Sequence, residues 1–493
     1  MIMKAAEFLY HIILLPLFFV FHTANTHWLF IGIAGQLYLA ALYASTAVVL
    51  FLLLFFWFKS KNKAGVIIFI LLLTNFYFSE IHKMLRANHP ALFIYRYVFV
   101  VPLLVLTVIS LTFSVYRSRS SFMQLTRYLN ILFLFLFIAE LATIAIRSYR
   151  LKGTTVAAIN DTSLSICDTC RKPDIYFLLF DEYSSSLSLR EDYHYDNDFL
   201  DTFLVQSGFK ILTRSKSNYN ITNFSVASIT NMSYLRIPKP DAVTSIDYFQ
   251  AAALIHGNRL CNYLDSIGYK IENYSLFDIG SNPPTVHYLF TSTPAEIIKS
   301  KTFIATLIHE TGWNLYSRKD LLTAQQKNYS ATFQNNLATV QNIKRASQEK
   351  INKPKFVYGH LLLPHPPFLV NKTVPYSIDQ LVQKHEFPVT DYVNYVYYTN
   401  TIIRDLVTTI QQNTNNEAVI VIMGDHGFRA PNGTVFPENY FENQNAVYFP
   451  QRNYEMLYDS IGGVNQFRVI LNTLFQQKLP LLAEKQYYLK DRK

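Results

Sequence analysis

The first 150 residues of this 493-residue chain contain five long apolar runs, and these runs decide where that part of the chain can fold. Because the hydrocarbon layer of a bilayer is about 30 Å thick, an α-helix needs about 20 apolar residues to cross it. The runs lie at about 7–23, 36–58, 64–80, 93–115 and 127–146. The second, fourth and fifth meet this length, and flanking aromatic residues can extend the first and third. The pattern therefore predicts a multi-pass α-helical membrane domain with five spans.

The basic residues of the chain are concentrated beside these runs. Residues 1–150 contain 12 Lys/Arg and 3 Asp/Glu, and the rest of the chain contains 32 and 31, so nearly all of the net charge of +10 lies in the apolar part. A nucleic-acid-binding protein would carry its excess on the soluble part, where it neutralises phosphates. The distribution therefore argues against a nucleic acid as partner.

The same residues predict the orientation of the spans, because loops rich in Lys and Arg stay in the cytoplasm. The side of the N-terminus would hold Lys4, Lys59, Lys61, Lys63, Arg117, Arg119 and Arg127, and the opposite side Lys83, Arg86 and Arg96. This bias predicts a cytoplasmic N-terminus and, after five crossings, an extracytoplasmic location for the chain beyond about residue 147. We expect a protein of the cytoplasmic (inner) membrane whose soluble domain lies on the periplasmic or extracytoplasmic side.

One acidic residue, Glu140, lies within the fifth apolar run. A charge that faces lipid near the bilayer centre costs a few kcal/mol. We therefore expect the Glu140 side chain to face the interior of the helical bundle or to reach towards the interface; a role in substrate binding is the other interpretation.

Residues 148–172 show no sustained periodicity, which favours a linker, and they contain a lone C-x-x-C at Cys167 and Cys170. A four-ligand zinc site would need two such pairs, so these cysteines predict a small disulfide or two free thiols. We accordingly divide the chain into a five-span domain at 1–147, a linker at 148–172 and an extracytoplasmic domain at 173–493.

Beyond residue 173, short apolar strands alternate with helical periodicity. Strands are predicted at 173–183, 209–213, 268–275, 355–361, 419–423 and 444–449, and helices at 196–207, 257–267, 390–412 and 464–476. Such alternation is typical of an α/β domain with a mainly parallel sheet covered by helices on both faces.

Two of these strands end in residues that bind metals. The strand VIVIM is followed by Gly424, Asp425 and His426, and the strand within 173–183 ends at Asp181. Parallel strands present ligands at the carboxyl edge of a sheet, and carboxylate and neutral imidazole suit zinc or manganese. The pattern predicts a site for one divalent metal ion, with ordinary polar turns as the alternative.

A third stretch of interest is SNYNITNFSVASITNMSYL, in which small polar residues give way to a helix near Thr222. A hydroxyl at a helix N-terminus meets free backbone N–H groups and the positive end of the helix dipole, which stabilises an alkoxide and the phosphoryl oxygens it would attack. Bound to a metal, Thr222 would also have a lowered pKa and act as nucleophile. The alternative is that Thr222 and Ser225 are only capping residues.

These stretches together resemble the alkaline phosphatase/sulfatase superfamily, and above all its membrane branch, the lipoteichoic acid synthases and lipid A phosphoethanolamine transferases. PDIYFLLFDEY resembles the family's first strand, whose terminal acid binds metal, and T-x-x-S-V from Thr222 resembles the nucleophile helix. MGDHGFR resembles the Asp-His-Gly metal motif, and HLLLPHPPF resembles the loop whose His contacts the transferred group. The resemblance implies Asp181, Thr222, Asp425 and His426 as metal ligands, with Thr222 and His365 as catalytic residues.

The substrate contacts follow less directly from the resemblance. His365 lies between two prolines and could hydrogen-bond the phosphoryl oxygen or protonate the leaving group. His360 lies in an apolar strand and is either a substrate contact or a buried structural histidine. Arg429 could clamp an anionic oxygen or form an ion pair, and Ser225 and Asn445 complete the predicted substrate contacts.

The chain also departs from its relatives. Sulfatases use a Cys or Ser in C/S-x-P-x-R, whereas this chain has Thr222 and no cysteine there, which argues against sulfate ester hydrolysis. The phosphoethanolamine transferases carry a further His after Asp-His-Gly; this chain has none beyond His426 and offers only Asn445 as a polar substitute. A second metal is therefore doubtful, and the resemblance shifts towards the single-metal lipoteichoic acid synthase type.

The predicted function is a membrane-anchored, metal-dependent phosphotransferase. It would take phosphoglycerol or phosphoethanolamine from a phospholipid donor to an envelope glycan or lipid through a phospho-threonine intermediate. A hydrolase of phosphodiesters or sulfate esters on the same site is one alternative. A catalytically degenerate sulfatase-like binding module is the other.

Overall fold

The computed structural model describes residues 9–26, 33–88, 96–150, 157–158, 164–286, 298–308, 318–383, 388–429 and 437–492. The chain forms two compact units. The membrane unit consists of Met1–Gly153 and Ser292–Leu321, and the sheet unit consists of Thr154–Thr291 and Leu322–Lys493. The chain thus passes between the units three times, where the sequence suggested a single linker. The predicted boundaries at 147 and 172 stay a prediction.

Five apolar helices form most of the membrane unit: α1 His11–Thr26, α2 Ile33–Phe58, α3 Lys61–Asn88, α4 Tyr97–Arg117 and α5 Met123–Arg150. Four of them are long and apolar enough to cross a membrane, over Gln36–Phe58, Lys61–Arg86, Tyr97–Arg117 and Met123–Ile146. The helix α1, with 16 residues, is shorter than a full span. The predicted multi-pass helical domain is therefore confirmed, whereas residues 7–8 and 93–95 of the predicted spans lie outside the described residues.

The helices α1, α3 and α5 run in the same direction. At one end of α1, His11 Nδ1 lies 2.8 Å from Asn130 Oδ1 of α5, and its Nε2 lies 3.4 Å from the carbonyl oxygen of Gly65 in α3. Near the other end, Asn25 Nδ2 donates to Glu140 Oε2 at 2.7 Å, and His22 Nδ1 contacts Glu140 Oε1. Glu140 therefore has polar partners within the bundle, as its position in an apolar span requires.

The sheet unit contains a six-stranded sheet in the order β3-β10-β9-β2-β6-β5. The strands β2, β5, β6 and β9 are parallel, and β10 pairs antiparallel with both of its neighbours. The strands of this sheet are β2 Ile175–Phe180, β3 Lys210–Ile211, β5 Lys270–Tyr274, β6 Lys355–Leu361, β9 Val419–Gly424 and β10 Asn445–Tyr448. Two further pairs of short strands are β1 Ala157–Ala158 with β4 Leu235–Arg236 and β7 Val370–Asn371 with β8 Val374–Pro375. The predicted mainly parallel sheet is confirmed.

Helices cover both faces of this sheet. Along β2, Ile175, Phe177 and Leu179 belong to one hydrophobic core, and the alternate residues belong to a second core. Successive side chains of a strand point to opposite faces, so the sheet lies between two apolar layers. The helices are α6 Ser186–Glu191, α7 Asp198–Gln206, α8 Thr222–Asn231, α9 Ser245–His256, α10 Arg259–Ser266, α11 Arg318–Gln348, α12 Ile378–Gln383, α13 Val389–Asn413 and α14 Gly463–Phe475.

Sequence periodicity did not predict the long helix α11. Its sequence is rich in Gln, Asn, Thr, Lys and Arg, so that no broad apolar stripe marks it as a helix. Ile343 of this helix packs over Gly359 of β6, where a larger residue would collide with it. Tertiary packing, rather than a local pattern, therefore locates this helix.

The glycine that ends β9 is required by close packing. A Cβ atom at Gly424 would overlap the main-chain carbonyl oxygen of Tyr183. The Gly424 N–H donates to the carbonyl of Gln444 at 2.8 Å, and its own carbonyl accepts from Asn443 Nδ2. The end of this strand therefore cannot move aside without breaking hydrogen bonds.

We expect Gly424→Ala to lower the stability of the sheet unit by about 1–3 kcal/mol, the usual cost of overpacking a tight site. Thermal unfolding of the full-length protein in detergent measures the effect. Gly257→Ala is the matched control, because a Cβ there meets its nearest atom, the Ala253 carbonyl oxygen, at 3.7 Å. Equal melting temperatures for the two variants would contradict the packing argument.

Candidate metal centre and active site

Three parallel strands place their carboxyl ends side by side. In the register of the sheet, Leu179 of β2 lies opposite His360 of β6, and Phe180 lies opposite Gly424 of β9. The residues that follow β2 and β9 are Asp181 and Asp425. The central strand therefore presents Asp181 between His360 on one side and Asp425 on the other.

These three side chains form a buried cluster with metal-binding geometry. One ligand atom from each of Asp181, His360 and Asp425 lies within 4.8 Å of the others. Among the described residues, Asp181 Oδ1, His360 Nε2 and Asp425 Oδ2 have no hydrogen-bond partner. Buried polar atoms are almost always hydrogen-bonded, so three residues that each keep such an atom without a hydrogen bond and lie this close together fit a divalent cation. His360, predicted as a substrate contact or a structural residue, lies in the cluster itself.

Backbone hydrogen bonds orient Asp425. Its Oδ1 accepts from the N–H groups of Glu182, at 2.9 Å, and His426, at 2.8 Å. These bonds occupy one carboxylate oxygen and leave Oδ2 directed at the cluster. The residue was predicted as a ligand because of its position after a strand, and the structure adds the reason for its orientation.

His426 is held with one ring nitrogen towards the site. Its Nδ1 lies 2.9 Å from the carbonyl oxygen of Gly427, and a carbonyl can only accept, so Nδ1 carries the proton. Its Nε2 lies 3.3 Å from Asp425 Oδ2 and 3.3 Å from Thr222 Oγ1. A backbone carbonyl that fixes the tautomer in this way is common for metal-binding histidines.

Thr222 is the first residue of α8, and its hydroxyl does not cap the helix. The cap position is occupied by Ile221, which makes no side-chain capping bond. Thr222 is half-buried, whereas the helix that follows is almost entirely buried from Phe224 to Asn231. Its hydroxyl therefore lies at the positive end of the helix and beside His426, as a metal-bound nucleophile requires.

The electrostatics of the two carboxylates favour a cation. Burial raises the pKa of Asp425, and the negative charge of Asp181 raises it further. Burial also acts to raise the pKa of Asp181, but His365, His360 and His426 together outweigh it and lower that pKa. Two carboxylates held this close in a buried place repel each other unless positive charge lies between them.

His365 lies in the loop that follows β6, between cis peptide bonds at Leu363–Pro364 and Pro366–Pro367. Burial lowers the pKa of its imidazole, but the charges of Asp181 and Glu182 outweigh burial and raise it. The structure thus brings His365 into the electrostatic field of the site, where a protonated imidazole is favoured.

Arg429, which is half-buried, forms an ion pair whose partner could not be identified from the sequence. Its Nε and Nη2 both lie 2.8 Å from Glu182 Oε1, and Glu182 itself is buried directly after Asp181. Burial lowers the pKa of Arg429, but Glu182 outweighs this and raises it, so the guanidinium stays charged. The sequence did not identify Glu182 as the partner, because the two residues are more than 240 positions apart.

Two of the predicted substrate contacts, Ser225 and Asn445, are buried and form hydrogen bonds within the protein. Ser225 is fully buried, and its hydroxyl donates to the main-chain carbonyl of Asp425 at 2.6 Å. Asn445 is fully buried, and its Nδ2 donates to Ser215 Oγ and to Gln466 Oε1. Ser225 thus ties α8 to the loop that contains Asp425, and Asn445 belongs to a buried polar network at the start of β10. Direct substrate contact by these two residues stays a prediction.

An open pocket of about 570 Å³ lies beside the start of α8. Two of its lining residues, Asn220 and Ile221, precede Thr222 directly. Asn220 exchanges side-chain hydrogen bonds with the N–H and the carbonyl of Leu489, so the C-terminal segment forms a wall of the pocket. Its charged and aromatic lining residues are Asp241, Arg429, Tyr440, Tyr488, Lys490, Asp491 and Arg492.

Comparison with solved structures gives many similar chains at low identity. The periplasmic domain of EptC from Escherichia coli is 11% identical, with a TM-score of 0.37 over 63% of this chain and 86% of that domain. A second structure of that domain, in complex with Zn, gives a TM-score of 0.36 at 11% identity over the same shares. A 2-O GAG sulfatase is 12% identical, with a TM-score of 0.38 over 65% of this chain and 73% of that one. No curated protein matches the sequence.

A family model gives the assignment. Residues 289–462 match the family described as Sulfatase. The matched region contains the Asp-His-Gly motif at 425–427 and the histidine loop after β6, whereas Asp181 and Thr222 lie before it. The chain therefore resembles the Sulfatase family over this region, as its motifs predicted.

Proposed function

We propose that the protein is a membrane-anchored, metal-dependent phosphotransferase that moves a phospholipid headgroup, phosphoglycerol or phosphoethanolamine, to an envelope glycan or lipid. One observation carries the proposal. The hydroxyl of Thr222, free of any capping role, lies at a helix N-terminus 3.3 Å from His426 Nε2. Beside it converge the unpaired buried atoms of Asp181, His360 and Asp425.

The metal-binding residues in this proposal are Asp181, Asp425, His426 and Thr222, with His360 added by its place in the cluster. Two carboxylates with imidazole nitrogens are a donor set that suits zinc or manganese. When bound, such an ion neutralises charge on a phosphoryl group and lowers the pKa of a coordinated hydroxyl. Among the described residues, the cluster offers ligands for one metal ion, and the proposal includes no second ion.

The side chains of the protein would carry out two transfers. In the first, Thr222 Oγ1 forms a bond to phosphorus as its proton leaves to solvent, and the bond from phosphorus to the glyceride oxygen breaks. His365, whose raised pKa favours the protonated form, gives the departing oxygen its proton. In the second, the oxygen of an acceptor hydroxyl forms a bond to phosphorus and its proton passes to His365, which the first transfer left neutral. The bond from phosphorus to Thr222 Oγ1 breaks, and Oγ1 takes a proton from solvent.

The substrates would bind in the pocket beside Thr222, because its wall begins at Asn220 and Ile221. The membrane unit supports a lipid donor, since anchoring holds the catalytic residues close to the bilayer that supplies it. The disulfide between Cys167 and Cys170 fits an oxidising compartment, which supports the extracytoplasmic side.

Hydrolysis on the same site is the second candidate, with water in place of the acceptor. The match to the Sulfatase family model and the partial exposure of Thr222 to solvent support it. Product analysis separates the two candidates: transfer places the labelled headgroup on a glycan or lipid, and hydrolysis releases it free in solution. A degenerate binding module would give neither product.

We expect Thr222→Ala to reduce headgroup transfer from a labelled phospholipid by about 10⁴-fold or more, as removal of a covalent nucleophile does. Thr222→Ser should keep part of the activity, because it keeps the hydroxyl. Intact-mass measurement should find a phosphoryl adduct on the wild type and none on the Ala variant. Thr213→Ala, at an exposed threonine, controls for loss of a hydroxyl, and normal turnover by Thr222→Ala would refute the nucleophile.

The metal site makes a separate prediction. The purified full-length protein should contain one equivalent of zinc or manganese by elemental analysis, and Asp181→Asn and His360→Ala should each weaken its binding by at least about 10–100-fold, the loss that even supporting residues cause. Asp265→Asn changes an exposed carboxylate and serves as control. A wild type without stoichiometric metal would favour the binding module.

A further inference from the structure

A short segment from the second half of the chain packs against a membrane-spanning helix. Residues 292–321 belong to the membrane unit, although the sheet unit precedes and follows them in the sequence. Of these, residues 298–308 are described in full, with helical turns at 298–300 and 303–308. No predicted span includes this segment, because its apolar stretch, FIATLI, is only six residues long.

The contacts of the segment with α3 give its position along that helix. Lys301 Nζ lies 3.2 Å from Glu80 Oε1, and the rings of Phe303 and Phe78 meet edge to face with centroids 5.2 Å apart. Further along the segment, the N–H of Ile304 donates to Asn75 Oδ1 at 3.2 Å. The segment therefore runs from the level of Glu80 down to the level of Asn75.

The depth of these contacts follows from the helix rise. Lys63 marks one membrane interface, since its Nζ donates to the carbonyls of Tyr116 and Ser118 where α4 ends. Lys83 is 20 residues further along α3, or about 30 Å at 1.5 Å per residue, which is the thickness of the hydrocarbon layer. Asn75 lies eight residues before Lys83, or about 12 Å inside that second interface.

The polar groups of the segment are satisfied in the way that a lipid environment demands. Thr302 Oγ1 donates to the Lys299 carbonyl at 2.7 Å and accepts from the Ala305 N–H at 3.3 Å. The hydroxyl of Thr306 donates to the Thr302 carbonyl at 3.0 Å. Asn75 adds the acceptor for Ile304, whose N–H belongs to the first turn and has no partner within the helix. An unpaired backbone group costs several kcal/mol in hydrocarbon, so this pairing suits insertion.

The outer surface of the segment is apolar. Ile304 and Ile308 are 57% and 59% exposed within the unit, four residues apart on one helical face. For comparison, Leu106 on the membrane-spanning α4 is 64% exposed. The lysines of the segment, Lys299 and Lys301, precede the apolar turn and lie towards the Glu80 level, where headgroups would meet them.

We propose that residues 298–308 form a membrane-inserted wedge, which enters the hydrocarbon of one leaflet beside α3 and presents Ile304 and Ile308 to lipid. The occupant of this apolar face is the bilayer itself. The wedge lies at the end of α3 towards which α5 also runs, because both helices begin near the interface of Lys63. It therefore adds a membrane attachment that is distant in sequence from the five N-terminal helices.

Nitroxide spin labels on full-length protein in liposomes of phosphatidylcholine and phosphatidylglycerol test the wedge. Ile304→Cys and Ile308→Cys carry the label, with Leu106→Cys as the lipid reference and Val205→Cys, 61% exposed on α7, as the water reference. The new thiol is labelled selectively, because Cys167 and Cys170 form a disulfide and Cys261 is buried. At 304 and 308 we expect collisions with oxygen to exceed collisions with a nickel chelate, as at 106.

A collision pattern like that at 205 would overturn the proposal, since the segment would then lie in water. Low accessibility to both reagents would also overturn it, since protein would then cover the face. Photolabelling of the unmutated protein with a lipid-soluble diazirine gives an independent result: a labelled peptide containing 298–308 supports the wedge, and its absence among labelled peptides contradicts it.

Asn75 can be tested in the same measurement. Asn75→Leu removes the acceptor for the Ile304 N–H, so the label at 308 should shift towards the interface. Thr74→Val is the matched control, because the Thr74 hydroxyl bonds within its own helix, to the Ile70 carbonyl. An unchanged depth in Asn75→Leu would show that this hydrogen bond does not hold the wedge.

Discussion

The buried pair of carboxylates at the carboxyl edge of the sheet is the constraint on which the rest of the site depends. Asp181 and Asp425 follow adjacent parallel strands, so the hydrogen-bonded register of β2 and β9 forces them together. Two such charges repel strongly when water is excluded, and one carboxylate oxygen of each has no partner among the described residues. A divalent cation would resolve this conflict, and His360 and His426 would supply the neutral donors that such an ion prefers.

The surroundings of the cluster fix these ligands with backbone groups rather than with long side chains. Two N–H groups hold Asp425, a carbonyl holds His426, and Gly424 allows the strand end to lie against the Tyr183 carbonyl. Ser225 then links α8 to the same loop through the carbonyl of Asp425. These short contacts set the positions of His426 and of α8, whose first residue, Thr222, has its hydroxyl 3.3 Å from His426 Nε2.

The proposed use of a lipid donor would give the two compact units one chemical requirement in common. A lipid donor is confined to a bilayer, so an enzyme that uses it gains from being confined there as well. The chain passes between the units three times, and its segment 298–308 packs on α3 within the membrane unit.

The amino-acid sequence determined the classes of structure. Apolar runs of about 20 residues can satisfy their backbone hydrogen bonds in lipid only as helices, so the helices of the membrane unit could be predicted. Strands that are buried on both faces appear in the sequence as short apolar runs, so the strands of the sheet unit could be predicted as well. The motif residues Asp181, Thr222, Asp425 and His426 were also readable, since each stands at the end of a strand or the start of a helix. The long helix α11 could not be recognised in this way, because its polar sequence shows no helical periodicity of apolar residues.

Only the tertiary structure decided which residues meet. His360 was ambiguous in sequence because a buried histidine inside a strand is equally a core residue or a ligand; the parallel register placed it beside Asp181. Ser225 and Asn445 were turned inward by hydrogen bonds to groups far away in sequence, and Glu182 acquired Arg429 in the same way. Such contacts depend on how the strands are ordered in the sheet, and strand order leaves no signal in the local pattern of residues.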